Sequence, residues 1–123
     1  MVDNGRRVLI DLPFEAALGA TTAAIHREGW SVLARIDVRE HFKTELHHEF
    51  RQYELLVAWM PALAFEEIRA DLDEGPRLPV RFAVYELADG ETVVTADERG
   101  ALAERVLGRL RRLPRAVAVM PAA

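Results

Sequence analysis

The chain has 123 residues, half of them hydrophobic and 29% charged, and carries a formal net charge of −4. A chain of this length suits one domain that buries on the order of two-thirds of its unfolded surface, and its acidic balance argues against bulk affinity for nucleic acid or anionic membrane. Cysteine is absent, which excludes disulfides, thiolate metal sites and thiol catalysis.

The opening MVDNGRRVLIDLPFE holds two arginines and an apolar run too short for a signal segment or a membrane span. A soluble cytoplasmic protein is therefore expected, a single domain over residues 1–123 with an ordered core over about 7–113 and a tail over 114–123. Val8–Leu12 reads as a first strand. Pro13 then permits a helix over Phe14–Glu28, because Phe14, Ala17, Leu18, Thr21, Ala24 and Ile25 recur at three-to-four spacing. Gly29 is placed to end it in left-handed backbone. Trp30–Val38 alternates as a strand, with Trp30, Val32, Ala34 and Ile36 facing one way and Leu33, Arg35 and Asp37 the other. Residues 39–48 are polar and read as a helical turn within a linking loop.

Phe50–Met60 is the next strand, apolar on both sides: Leu56, Ala58 and Met60 oppose Leu55, Val57 and Trp59. Pro61 opens a helix to about Ala70, since proline lacks only an N–H that the first helical turn does not use. Leu63, Ala64 and Ile68 form its inner stripe, and Glu66, Glu67 and Arg69 its outer side. Asp73-Glu74-Gly75-Pro76 is a turn. Val80–Leu87 and Glu91–Ala96 are strands joined by Ala88-Asp89-Gly90, a hairpin signal. Asp97 is an N-cap candidate for a last helix over Asp97–Leu113, with Leu102, Ala103, Val106, Leu110 and Leu113 buried. Pro114 ends it, and the AVAVM that follows either adds a short strand or trails off. The order β-α-β-β-α-β-β-α specifies an α+β, two-layer fold: a mainly antiparallel sheet with helices packed on one face.

The same stretches carry a family likeness. Gly29, Trp30, Val32, Ile36, Asp37 and Val38 fall in one block, Pro61, Leu63, Ala64 and Phe65 in a second, and Leu78, Pro79, Val84, Tyr85 and Glu86 in a third. In this order and spacing, over roughly residues 8–113, the chain resembles the bacterial family labelled domain of unknown function 302. The resemblance implies the architecture just described. It implies no reaction, and where the family pattern has Cys-Asn-Pro and Leu-Pro-Cys this chain has Trp59-Met60-Pro61 and Leu78-Pro79-Val80. Any thiol chemistry of relatives is closed to it.

No motif for catalysis stands out. His41, His47 and His48 lie near Glu40, Glu45 and Glu49, ligand types that Zn²⁺ accepts, but no HExxH-like spacing places two of them on one face. These histidines read as a solvated connection, and His26 as a surface residue. Arg105, Arg109 and Arg112 share a face at i, i+4 and i+7, where a solvated face near a helix C-terminus explains them. Glu66 and Glu67 diverge, Asp71, Asp73 and Glu74 lack the remaining ligands of a calcium loop, and the single serine, Ser31, sits in no nucleophile motif. Neither cofactor nor metal is expected.

One constellation is left. If helices cover one sheet face, the opposite face is expected to carry Leu33, Arg35, Asp37, Tyr53, Leu55, Val57, Trp59, Arg81, Ala83 and Tyr85. That mixture is too apolar for open water and too charged for a sealed interior. A homodimer interface fits it. So does a groove in which Arg35 and Arg81 hold a small anionic ligand between Tyr53, Trp59 and Tyr85, with Asp37 close by. So do arginines lying past aliphatic neighbours, or a last helix wrapped over this face in a closed monomer. The reading adopted is a non-catalytic binding or interaction module acting as a homodimer. The alternative is a small enzyme acting on an anionic metabolite, with a base from Asp37 or a histidine.

Overall fold

Six strands form one sheet in the computed structural model, which describes residues 7–97, 100–113 and 116–118. The strands are β1 (Arg7–Ile10), β2 (Ser31–Asp37), β3 (Tyr53–Trp59), β4 (Val80–Ala88), β5 (Glu91–Ala96) and β6 (Ala116–Ala118). They lie in the order β2-β3-β4-β5-β1-β6, every neighbouring pair antiparallel. The helices are α1 (Phe14–Arg27), α2 (Val38–Leu46), α3 (Pro61–Ala70) and α4 (Ala101–Arg111), with a 3-10 turn over Leu72–Arg77. The α+β class and the element order hold. The polar stretch after β2 is lengthened to a full helix, α2, and AVA of the tail pairs with β1 as β6. The rest of the tail lies outside the described residues.

Burial follows the periodicities. The three-to-four stripe of α1 is buried throughout, from Phe14 to Ile25. It meets Leu102, Val106 and Leu110 of α4, and both helices pack on Val8, Ile10, Leu56, Phe82, Val84 and Val94 of the sheet in one apolar core. The last helix thus lies beside α1 and does not wrap over the opposite face. Its first turn begins at Ala101, with Gly100 as N-cap, so the N-cap expected at Asp97 is corrected. Asp97 accepts instead from the backbone N–H and Nε of Arg81 at 3.1 and 2.6 Å, an ion pair that competes for the carboxylate a helix cap needs.

α1 ends as its sequence specifies. Gly29 has φ +85°, its N–H donates to the His26 carbonyl, and the Trp30 N–H reaches back to the Ile25 carbonyl. Those two bonds satisfy carbonyls that the helix end leaves without partners. α2 ends in the same backbone conformation, but at His47, with φ +58°.

Candidate functional site

The face of the sheet away from α1 and α4 is built largely by β3 and β4. Tyr53, Leu55 and Val57 pair with Tyr85, Ala83 and Arg81, and Trp59 follows on the same side. Val93 and Thr95 of β5, then Leu9 and Arg7 of β1, extend it across the sheet. Ala83 and Val93 are buried beneath their neighbours, whereas Tyr53, Leu55, Val57, Trp59 and Tyr85 stay partly exposed. The two tyrosine rings stack at 5.4 Å, and a row of aromatic contacts runs from Phe42 of α2 through Phe50 onto Tyr53. Nη2 of Arg7 donates to the Tyr85 hydroxyl at 2.9 Å and fixes that ring's outer end.

The expected grouping of site residues divides here. Tyr53, Trp59, Arg81 and Tyr85 do share the second face. Arg35 and Asp37 do not: Leu33 is an extra residue in a bulge between Val32 and Ala34, so Arg35 pairs with Leu56 and Asp37 with Glu54 on the helix-covered side. Ala34 and Ile36 take the places that period two had given to Leu33, Arg35 and Asp37. One bulged residue inverts every side chain after it. Asp37 ends as the N-cap of α2, accepting from the Glu40 N–H at 3.0 Å. Arg35 and Arg81 consequently cannot grip one anion from one face, and Arg81 is already paired with Asp97.

Arg35 instead donates through Nε to Glu54, a carboxylate 8% exposed beneath the helices. Hydrogen bonding to Glu54, partly offset by burial, holds the guanidinium more firmly charged than usual, with a smaller contribution from Glu15. Its side chain lines a cleft of about 340 Å³ with Glu15, Leu18, Gly19, Thr22, Ala23 and His26 of α1. Sequence spacing misses this cleft because it depends on the bulge and on how α1 crosses the edge strand. A second, apolar groove of about 430 Å³ lies between Trp59 and α3, bounded by Pro61, Ala64, Phe65, Ile68 and Arg69.

Arg105 and Arg109 of α4 are engaged in ion pairs with α1. Glu28, at the C-cap of α1, is bracketed by Nε of Arg105 at 3.0 Å and Nε of Arg109 at 2.5 Å. The Arg109 hydrogen bond is the largest of the effects that hold the Glu28 carboxyl below the usual range. Two of the three arginines expected to share a face of the last helix therefore tie α4 to α1. Among the described residues no group of three or more His, Asp or Glu side chains is arranged to hold a metal ion, and no helix is long and apolar enough to cross a membrane.

Comparison with known proteins agrees with this fold. No curated protein matches the sequence. A solved structure described as that of the uncharacterized conserved protein DUF302 from Bacillus stearothermophilus superposes with a TM-score of 0.65 at 20% identity, over 85% of this chain and 90% of that one. At this identity the likeness concerns the fold. The family model for the domain of unknown function DUF302 matches residues 7–119, nearly the whole length, and the chain belongs to that family.

Proposed function

We propose that the chain is a non-catalytic interaction module that pairs with a second copy of itself through the open face of its sheet. The observation that carries this reading is the imbalance of the two faces. α1 and α4 pack a continuous core on one; the other leaves Leu55, Val57, Trp59 and Ile36 in partial contact with solvent. Burying a large apolar side chain is worth roughly 1.5–3 kcal/mol relative to leaving it in water. A twofold contact buries each of these residues once in each subunit.

The polar groups on this surface support a second copy as the occupant. Arg7 is bonded to Tyr85, and Arg81 is paired with Asp97 within the same chain. The face therefore sets an apolar row along β3 beside charges that are already matched within the chain, a mixture that protein interfaces share. Two copies brought together meet no uncompensated arginine from these positions. In the alternative, an enzyme holding an anionic metabolite, Arg35 and Arg81 would act from opposite faces of the sheet.

Light scattering at micromolar concentration tests the reading. The expected mass is twice the 13.9 kDa of one chain. Val57→Asp places a carboxylate in the apolar row of β3 and is expected to give monomers, whereas Ala16→Asp, on the exposed side of α1, leaves the mass unchanged. A monomer mass that persists as the wild-type protein is concentrated rules the proposal out.

A further inference from the structure

The cleft between α1 and the edge strand β2 has features that packing alone does not account for. Gly19 stands in the middle of α1, where glycine costs roughly 0.8–1 kcal/mol relative to alanine. A Cβ built on Gly19 meets no atom within 4 Å, so no neighbour demands the missing side chain. What glycine leaves there is an opening, floored by the helix and lined by Arg35 from β2 and Glu15 from the preceding turn. Residues 15, 19 and 22 recur at i, i+4 and i+7 and so lie along one stripe of α1.

The charges in this opening are ordered. Glu54, almost fully buried, accepts from Nε of Arg35. Removing a carboxylate from water is costly unless its partner is well placed, and here the partner is a guanidinium whose side chain is still 54% exposed. With Nε committed to Glu54, the two terminal nitrogens retain the planar fork suited to a carboxylate. Glu54 neutralises Arg35, and Glu15 adds a second negative charge near enough to act on the same guanidinium. A plain anion approaching Arg35 is repelled by Glu15, and a plain cation beside Glu15 leaves the terminal nitrogens of Arg35 without an acceptor. A ligand with both charges a few bonds apart satisfies both.

We infer that this cleft binds a small zwitterion of the α-amino-acid type. Its carboxylate lies on the terminal nitrogens of Arg35, its ammonium beside Glu15, and its side chain over Gly19 toward Thr22 and Ala23. The volume of about 340 Å³ falls in the range of small-molecule sites. This inference is independent of the dimer, which uses the other face of the sheet.

The test is a titration of ¹⁵N-labelled protein with glycine, L-leucine, L-glutamate and L-lysine in turn, followed by amide shifts. For at least one amino acid, saturable shifts are expected at Gly19, Thr22, Ala23 and Arg35. The deaminated and the decarboxylated analogues of that amino acid are expected to bind at least tenfold more weakly. Gly19→Met fills the opening without touching Glu15, Arg35 or Glu54. It should weaken binding at least tenfold while the thermal midpoint does not fall. Glu15→Gln, a change at an exposed position, should abolish the preference for the amino acid over its deaminated analogue. The inference fails if none of the four gives saturable shifts, if Gly19→Met binds as wild type does, or if the deaminated acid binds as tightly as the amino acid. Shifts confined to the outer edge of β2 also overturn it.

Discussion

Gly29 and His47 hold left-handed backbone at the ends of α1 and α2, and they invite opposite substitutions. At Gly29 a Cβ has room, its nearest neighbour being the Met60 methyl at 3.7 Å, so the cost of a side chain lies in the backbone. Gly29→Val is expected to lower stability by at least about 1 kcal/mol, read from the denaturant midpoint. His47 already bears that strain, and His47→Gly should raise stability by up to about 1 kcal/mol; a loss on the same scale would mean that the imidazole makes contacts worth more than the strain. Glu28 supplies a pH dependence. Its folded pKa lies below the unfolded value because Arg109 and Arg105 favour the carboxylate. The stabilisation is therefore complete above the ordinary glutamate pKa of about 4.3 and is lost as pH falls through the lower folded value. The stability difference between wild type and Glu28→Gln should shrink as pH is lowered from 6 through that range. A difference that stays constant would show that the two arginines do not act on Glu28 through its charge.

Among the elements, α3 is the least anchored. Ala64 is its one buried residue, and Leu63 and Phe65 are exposed by 43% and 64%, whereas α1 and α4 each bury five residues or more. Local opening is easiest where few apolar contacts must be broken. Amides of α3 are therefore expected to exchange with deuterium well before those in the middle of α1 and α4, and equal protection would show that another surface covers α3. The inner stripe expected for α3 is correspondingly thin, since Ile68 is only half-buried and Leu63 is open. Elements fixed by local chemistry are legible in the sequence: Pro61 at the start of α3, Gly29 at the end of α1, Asp89-Gly90 between β4 and β5, and the buried stripe of α1. What is not legible depends on partners distant in the chain. The bulge at Leu33 is set by pairing with β3 and reverses the facing of Arg35 and Asp37. Arg81 claims Asp97 from across the hairpin, so the last helix begins later than a capping aspartate suggests. Glu28 looks like any charged residue near a helix end until α4 brings Arg105 and Arg109 to it.

For the whole molecule, two helices pack on one face of a six-stranded sheet and leave apolar side chains of the other partly open to solvent. The partly exposed residues concerned are not scattered. Leu55, Val57 and Trp59 alternate along β3, one strand in from the β2 edge of the open face, and the stacked tyrosines continue the apolar surface toward α2. If a second copy covers them, association and folding share one free energy, and apparent stability must depend on concentration, because a partner that binds the native state stabilises it by mass action. The thermal midpoint of the wild-type protein is accordingly expected to rise between low micromolar and several hundred micromolar. The Val57→Asp variant should unfold at a lower midpoint that no longer moves with concentration. It should still bind the amino acid in the α1–β2 cleft, which lies on the covered side of the sheet and contains no residue of the open face. A wild-type midpoint that is independent of concentration, together with a monomer mass, would leave the open face without a second copy and the cleft as the chain's remaining proposed binding surface.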